Sequence, residues 1–377
     1  MLGSTGSIGV NTLAVLEAMR DEWEVVALAA GSRGATLGEQ ANRFRPQAVA
    51  LADEGAASAL ADGLTYPCRV FSGSEGSINL IESVECDCVV CAVVGTAALP
   101  ATLRAAELGL RVALANKEAL VVAGSVLMPL AQRSGAEILP IDSEHSGVFH
   151  TIRTGRRCDV RKVYLTSSGG PFRTWSLERM SEVTPQEALN HPTWEMGPKI
   201  TIDSATMMNK ALEVVEARWL FDLDVDQIGV VVHPESIIHS LVEFVDGSMV
   251  AQLSTPDMRT PIQNALTHPE RRPCLSQPLD LSQAVQFNLQ PPDQGRFPAL
   301  RLGYEVASLG GTSGAVLNAA DEAAVEMFRS GEISFLDIVR CCEETLMRHE
   351  CKPSPTLEDL LEADRWAREE VTRCMPC

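Results

Sequence analysis

Residues 3–9, GSTGSIG, carry glycines at positions 3, 6 and 9 and lead into the helix-forming stretch NTLAVLEAM (11–19). Glycines at this spacing let the backbone approach a pyrophosphate, which binds at the N-terminus of the following helix. Taken alone the loop is a modest signal, because a glycine-rich turn can also serve the fold only. The segments that follow it decide between the two interpretations.

Short apolar strands and helix-like segments alternate over about the first 120 residues. The strand candidates are EVVALAA (24–30), AVAL (48–51), CVVCAVV (88–94) and RVALA (111–115), and the helix candidates lie at 10–20, 34–44, 54–61 and 97–108. Such alternation is typical of βαβ units and predicts a Rossmann-like, doubly wound parallel sheet. Only Met1 and Leu2 precede Gly3, whereas this fingerprint normally follows a strand of about five residues. We therefore expect either that the chain start is placed too late or that the fold tolerates a missing strand.

The strand candidate EVVALAA (24–30) favours NADPH over NADH by the residues that follow it. It runs into Gly31, Ser32 and Arg33, where an NAD-binding protein would carry an acidic residue for the ribose hydroxyl. Arg33 can instead bind the 2′-phosphate that NADPH carries at this ribose.

The pattern changes along the chain and predicts an α/β protein of three domains. A cofactor domain (1–124) precedes a mixed α/β catalytic domain (125–267) that contains a flexible loop at about 168–198. A proline-rich linker (268–296) then leads to a C-terminal helical domain (297–377).

The segment ILPIDSEHS places Asp142 and Glu144 just beyond a predicted strand. In extended backbone, residues i and i+2 point the same way, and two such carboxylates repel unless a cation neutralises them. Mg²⁺ or Mn²⁺ with oxygen ligands is the natural partner, with Glu213 as a third ligand and Glu216 as its less favoured substitute. The alternative is an exposed acidic turn.

Residues 191–221, HPTWEMGPKITIDSATMMNKALEVVEARWLF, gather many polar side chains around one predicted junction. KITID (199–203) has the alternation of a short strand, and Ser204 suits a helix N-cap. In the helix that follows, Asn209 and Glu213 lie one turn apart with Lys210 beside them. This set suits a bound anion next to a metal. An ordinary charged surface helix is the alternative.

Two further segments predict contacts with a ligand. LTSSGGPFR (165–173) begins a long polar stretch that could close as a lid, with Trp194 and Met196 as its apolar face, unless Trp194 simply packs in the core. ANKEALV (115–121) ends a predicted strand at the carboxyl edge of the sheet, where ligands bind.

Composition limits the class of protein. The formal net charge of −19 argues against nucleic acid or an anionic membrane as a partner, and no apolar run has transmembrane length. Eleven cysteines without framework spacing indicate a reducing compartment, so we expect a cytoplasmic protein.

Taken together, GSTGSIG, ANKEALV, LPIDSEHS, SSGGPFR, the block at 191–217 and TPDMRTPI resemble the 1-deoxy-D-xylulose 5-phosphate reductoisomerases. The resemblance covers nearly the whole chain. It implies conversion of 1-deoxy-D-xylulose 5-phosphate to 2-C-methyl-D-erythritol 4-phosphate in non-mevalonate isoprenoid biosynthesis. It also implies NADPH and Mn²⁺ or Mg²⁺ as cofactors, a sugar phosphate as substrate and a homodimer as the assembly.

The resemblance also implies the site residues. Asp142, Glu144 and Glu213 match the family's metal ligands, and Lys117 and His191 complete the catalytic set. The phosphate pocket is matched by Ser168, Ser204, Asn209 and Lys210, and further substrate contacts by Ser143, Trp194 and Met196. NADPH contacts are matched by Thr5, Gly6, Ser7, Ile8, Gly31, Ser32, Arg33, Asn116, Glu118 and Gly197.

Two other functions compete with this interpretation. A plain NADP-dependent dehydrogenase without a metal would tolerate Asp142→Ala and Glu213→Gln and would ignore EDTA. A regulator that senses NADPH without turnover would leave the phosphate pocket, the carboxylates and the lid tryptophan unexplained. Retro-aldol/aldol and α-ketol routes would use the same residues, so both remain open.

Overall fold

The structure is a computed structural model that describes residues 1–374. Up to residue 151, helices and strands alternate: α1 (Ser7–Ala18), β1 (Ala27–Ala30), α2 (Gly34–Phe44), β2 (Ala48–Leu51), α3 (Glu54–Asp62), β3 (Arg69–Ser72), α4 (Gly76–Glu82), β4 (Cys88–Cys91), α5 (Leu99–Glu107), β5 (Arg111–Leu114), α6 (Glu118–Ser134), β6 (Ile138–Pro140) and α7 (Ser143–Thr151).

The remainder is mixed and then helical. The middle elements are β7 (Val160–Ser167), α8 (Leu177–Met180), α9 (Pro185–Ala188), α10 (Pro198–Thr206), α11 (Met208–Phe221), β8 (Ile228–Val232), β9 (Ile238–Phe244), β10 (Met249–Leu253) and α12 (Arg259–Thr267). The last elements are α13 (Ala299–Leu309), α14 (Ser313–Ser330), α15 (Phe335–Arg348) and α16 (Leu357–Val371).

Two compact units share the chain. The first comprises residues 1–119, 127–146 and 257–277, and the second comprises residues 120–126, 147–256 and 278–377. The predicted division into cofactor, catalytic, linker and helical domains stays a prediction.

The first unit is built on parallel strands. β1, β2 and β3 pair in that order, as do β4, β5 and β6. Leu2 forms parallel bridges to Ala29 and to Cys91, so the chain start occupies the place between β1 and β4 where a central strand is expected. β1 and β2 are buried at every position because parallel strands of this kind are covered on both faces.

The second unit combines a sheet with a helical core. Its strands run in the order β10-β9-β7-β8, with β7 parallel to β8 and antiparallel to β9. The apolar core joins residues of this sheet to α10, α11 and α13–α15, and Phe172, Phe328 and Phe335 are among its largest members. The predicted α/β fold class with a C-terminal helical region is confirmed.

Several predicted elements agree with the structure. AVAL is β2, residues 34–44 are α2, and CVVCAVV contributes the strand Cys88–Cys91. The strand predicted for KITID is wrong, because residues 199–203 lie inside α10. β3 and α4 were not predicted. No helix within residues 1–374 combines the length and hydrophobicity that a membrane span needs.

Close helix packing in the second unit depends on Gly303 of α13. A Cβ atom at this position would lie 2.5 Å from the carbonyl oxygen of Ala211 in α11, a distance that side chains do not tolerate. We expect Gly303→Ala to lower the free energy of unfolding by about 1–3 kcal/mol, the usual cost of overpacking a core. The measurement is equilibrium denaturation in guanidinium.

Gly38→Ala in α2 is the matched control. Its Cβ would meet only the Cδ1 atom of Leu60, at 3.4 Å. Replacing a helical glycine in such space should raise stability by about 0.5–1 kcal/mol. Equal effects of the two substitutions would contradict the packing argument.

Candidate functional site

The glycine turn of the first unit brings backbone and helix N-terminus together. A Cβ at Gly3 would lie 2.4 Å from the Ala92 oxygen, and one at Gly9 would lie 2.3 Å from the Gly3 oxygen, so both positions exclude larger residues. Gly6 is the N-cap of α1, and Ser7 and Ile8 begin the helix. The first backbone N–H groups of a helix attract an anion, as the sequence predicts for this turn.

The loop after β1 lies beside the glycine turn. Gly31, Ser32 and Arg33 are exposed there, and the guanidinium of Arg33 donates a hydrogen bond of 2.9 Å to the carbonyl oxygen of Thr5. A cation is thereby held next to the predicted pyrophosphate turn, where it can reach a 2′-phosphate.

The carboxyl end of β5 holds three buried polar residues. The amide of Asn116 donates to the Gly95 oxygen at 3.0 Å and to the Glu118 carboxylate at 2.8 Å. Lys117 lies between them in sequence, and its ammonium is 2.5 Å from the Asp142 carboxylate. The carboxyl ends of two neighbouring parallel strands therefore contribute opposite charges to one point of the first unit.

The acidic pair after β6 has a different backbone from the one predicted. Asp142 precedes α7, with its carbonyl accepting from the Ser146 N–H, and Glu144 lies in the first helical turn. The prediction that Asp142 and Glu144 lie in extended backbone is therefore wrong. Ser143 donates to the Glu144 carboxylate at 2.6 Å, so these three residues remain neighbours.

His145 is a residue that the sequence analysis missed. It is fully buried, and a ring nitrogen lies within 4.8 Å of a carboxylate oxygen of Asp142. Its place inside DSEHS, directly after Glu144, was the available signal.

In the second unit, three predicted residues meet around one ring. Nε2 of His191 lies 3.0 Å from the Ser168 hydroxyl and 3.1 Å from the Ser204 hydroxyl. Ser168 follows β7, and a Cβ at Gly170 would lie 2.5 Å from the Ser204 carbonyl oxygen. Only glycine thus lets the SSGG loop lie against α10.

The backbone fixes the tautomer of His191. Its Nδ1 accepts hydrogen bonds from the N–H groups of Thr193 and Trp194, at 3.1 and 2.9 Å. The ring proton therefore resides on Nε2 and points to the two serine hydroxyls. Burial lowers the pKa of His191 below its usual 6.5, which keeps the ring neutral at neutral pH.

A break at Met207 separates the two helices of the 191–221 block. Met207 has a left-handed backbone (φ 62°, ψ 12°) and both ends α10 and precedes α11. Ser204 lies inside α10, so its predicted role as a helix N-cap is wrong. The N-cap of α10 is Gly197, followed by Pro198.

The first turns of α11 carry a buried charged group. Asn209 donates to one oxygen of Glu213 at 2.6 Å, and Lys210 donates to the other. Lys210 and Glu213 are 2% and 0% exposed, respectively, so they sit in a region of low dielectric where opposite charges attract strongly. The predicted adjacency of these three residues is confirmed.

Three further predicted residues lie on the segment before α10. Trp194 and Met196 are half-buried, and Gly197 is exposed. The substitute metal ligand Glu216 lies instead on α11, one turn beyond Glu213, and is 1% exposed. The mobility predicted for 168–198 stays a prediction.

Each unit therefore has its own chemistry. The first has a glycine turn at a helix N-terminus with a cation beside it, and the second has hydroxyl, amide, ammonium and carboxylate groups on α10 and α11. This combination is typical of NAD(P)-dependent oxidoreductases.

Three family models match the chain. Residues 1–124 match 1-deoxy-D-xylulose 5-phosphate reductoisomerase, residues 138–221 match the C-terminal domain of that enzyme, and residues 253–370 match the DXP reductoisomerase C-terminal domain. The chain belongs to the 1-deoxy-D-xylulose 5-phosphate reductoisomerase family.

Relatives of the same name cover nearly the full length. The enzyme of Rhodopirellula baltica is 47% identical over 98% of this chain and 92% of its own, and that of Geobacter metallireducens is 48% identical over 98% and 97%. The structure of the Zymomonas mobilis enzyme in complex with NADPH superimposes with a TM-score of 0.93 at 40% identity, covering 99% of this chain and 97% of that one. A DOX-P reductoisomerase structure with NADPH, fosmidomycin and magnesium gives 0.92 at 40% identity, with the same coverage.

The geometry around His191 predicts its titration. We expect its ring to remain in the Nε2–H form and to titrate below 6.5, because burial favours the neutral ring. The associated stabilisation is present above pH 6.5 and is lost as the pH falls through the folded-state pKa. Long-range ¹H–¹⁵N NMR of the imidazole reports both properties.

His349 serves as the reference, since burial also lowers its pKa but no serine pair surrounds its ring. A His191 ring in the Nδ1–H form at pH 8 would contradict the hydrogen bonds from Thr193 and Trp194.

Proposed function

We propose that this chain catalyses the isomerisation and NADPH-dependent reduction of 1-deoxy-D-xylulose 5-phosphate to 2-C-methyl-D-erythritol 4-phosphate, with a divalent metal, in non-mevalonate isoprenoid biosynthesis. The observation that carries the proposal is the pocket of Ser168, His191 and Ser204 in a chain of this family. Hydroxyl groups and a neutral imidazole N–H suit a phosphate, which needs donors rather than a buried counter-charge alone.

The first unit fits NADPH on its own geometry. Gly3 and Gly9 leave no room for a side chain, which lets the chain form a tight turn before the N-terminus of α1, where a pyrophosphate can bind. We assign the cofactor contacts to Thr5, Gly6, Ser7, Ile8, Gly31, Ser32, Arg33, Asn116, Glu118 and Gly197. NADPH, when bound, supplies the hydride for the reduction.

The carboxylates fit a divalent metal by their donor chemistry. Asp142, Glu144 and Glu213 offer hard oxygen ligands, and we assign all three to Mg²⁺ or Mn²⁺ as the family resemblance implies. Two of these carboxylates form ion pairs with lysines: Asp142 with Lys117, and Glu213 with Lys210. A bound cation supplies Lewis-acid stabilisation of negative charge on substrate oxygens.

The chain's own groups then hold the substrate. The phosphate is bound by Ser168, Ser204, Asn209 and Lys210. The Nε2–H group of His191 donates a further hydrogen bond to it. Lys117 and Ser143 contact the polar part of the substrate. Contacts to a phosphate remote from the reacting carbons provide energy for closing the segment with Trp194 and Met196, which excludes water from the reaction.

We also propose a homodimer in the cytoplasm. Family resemblance supports the dimer, and the nine described free cysteines together with the acidic composition support a reducing compartment. Light scattering coupled to gel filtration tests the assembly.

Turnover is the direct test of the proposed reaction. Purified protein with 1-deoxy-D-xylulose 5-phosphate should oxidise NADPH, followed by its absorbance, in the presence of Mg²⁺ or Mn²⁺. EDTA should abolish the reaction, and Glu213→Gln should lower kcat by at least about 100-fold, as losses of key charged groups in active sites do. Oxidation that is indifferent to EDTA would favour a metal-free dehydrogenase instead.

Arg33 should determine the cofactor preference. Loss of one charge-assisted hydrogen bond to a 2′-phosphate, worth roughly 1.5–3 kcal/mol, predicts that Arg33→Ala raises the KM for NADPH by about 10- to 100-fold. The KM for NADH should change little, since NADH lacks that phosphate. Arg20→Ala, at an exposed ion pair with Glu17, is the control. Parallel losses with both cofactors would mean that Arg33 acts only through Thr5.

A further inference from the structure

Lys199 and its partners form a buried charged cluster that the proposed reaction does not use. The ammonium of Lys199 lies 2.7 Å from the Asp203 carboxylate on the same helix, α10, and 2.6 Å from the Asp321 carboxylate on α14. Asp203 and Asp321 are 2% and 0% exposed. We call Lys199, Asp203 and Asp321 the α10–α14 cluster.

The charges of the cluster do not balance if both carboxyl groups ionise. One ammonium, on a side chain that is 18% exposed, faces two carboxyl groups that are almost fully buried. Burial raises the pKa of Asp203 well above 3.8, and the neighbouring Asp321 raises it further. The adjacent Cys342 thiol of α15 stays protonated for the same reasons, burial first and Asp321 next. The protonated form of Asp203 is therefore favoured, and the contacts of Lys199 link α10 to α14.

Such a cluster is a poor source of stability. Removing ions from water costs about as much as their mutual attraction returns, so an apolar replacement is often neutral. Its directional contacts instead fix how two elements sit against each other. The question is then which property of the protein depends on the position of α10.

α10 carries residues of both the cluster and the candidate phosphate pocket. Ser204 directly follows Asp203, and its hydroxyl is one of the two that meet Nε2 of His191. Its carbonyl oxygen lies where Gly170 of the SSGG loop permits no side chain. A small shift of α10 therefore displaces the Ser204 hydroxyl from His191 and changes the fit of the SSGG loop.

We propose that Asp321 is a positioning residue for the phosphate pocket: through Lys199, it holds α10 where the Ser204 hydroxyl can bind phosphate together with His191 and Ser168. The inference rests on the proposed function for the identity of the substrate. It gives the C-terminal helix α14 a part in substrate affinity although α14 supplies no phosphate-binding group.

The test compares variants at both ends of the contact. Asp321→Leu replaces the carboxylate with a larger apolar side chain, and Lys199→Met removes the ammonium while preserving approximate side-chain volume. Asp321→Asn keeps a hydrogen-bond acceptor and serves as the conservative rescue. Glu326→Leu, at an exposed position of the same helix where Glu326 pairs with Arg329, is the matched control.

The expected result separates positioning from general stability. Asp321→Leu and Lys199→Met should each raise the KM for 1-deoxy-D-xylulose 5-phosphate roughly tenfold, in line with the cost of misplacing a binding group. The KM for NADPH should stay unchanged, and Asp321→Asn should recover most of the affinity. The double variant should cost about as much as Lys199→Met alone, because that substitution already removes the contact between Lys199 and Asp321.

Inorganic phosphate provides a readout that is independent of turnover. Titration of the wild-type protein, followed by the imidazole ¹⁵N signals of His191, should saturate. The phosphate concentration at half-saturation should rise roughly tenfold in Asp321→Leu and Lys199→Met but not in Glu326→Leu. Circular dichroism establishes that each variant is folded, and if Asp321→Leu does not fold, Lys199→Met carries the comparison.

Each outcome decides the proposal. Unchanged phosphate affinity in a folded Lys199→Met protein would overturn it, as would a wild-type protein that binds no phosphate at His191. Additive losses in the double variant would also contradict a shared contact. If phosphate behaves as expected but the wild-type protein does not oxidise NADPH, the proposed function fails and the positioning role stands.

Discussion

The left-handed residue Met207 is the constraint on which the second unit's site depends. In one uninterrupted helix from residue 198 to 221, Ser204 and Lys210 would be six residues apart, or about 240° around the axis, and would face different directions. The break lets α10 turn Ser204 toward His191 while α11 brings Asn209, Lys210 and Glu213 together. A non-glycine residue in this conformation costs about 1–2 kcal/mol, and the burial of Met207 and Met208 offsets that cost.

Buried charges are arranged in the same way in both units. Asp142 with Lys117, and Glu213 with Lys210, are pairs in which a carboxylate that we assign to the metal already has a cationic partner. These contacts are weak sources of folding stability, because each ion loses its hydration. They do hold the carboxylates in fixed orientations before any ligand arrives. A site organised in advance avoids the reorganisation that water would require during the reaction.

The sequence predicts best where burial and hydrophobicity coincide. AVAL is recognisable as β2 because all four residues are buried, whereas β3 is exposed at both ends and carries no such apolar run. KITID shows why alternation alone misleads: Ile200 and Ile202 lie two apart, as in a strand, but Gly197 and Pro198 before them are the N-cap and first residue of a helix. Weighing these start signals against the alternation would have corrected the prediction. The same holds for Asp142, which behaves as a helix-capping residue before α7.

Site residues raise a different difficulty, since their identity and their environment are separate properties. The motif at 191–217 indicates that His191 and Ser204 matter, yet nothing in it shows that two backbone N–H groups set the histidine tautomer. Lys199 illustrates the limit most clearly. Beside Asp203 it resembles an ordinary helical ion pair one turn apart, which would contribute little at a surface. Its second partner, Asp321, comes from a distant helix, and only the folded chain brings the two carboxyls to one ammonium. A local pattern can therefore name the residues of a site, while the long-range contacts that hold them in place follow from the packing of whole helices.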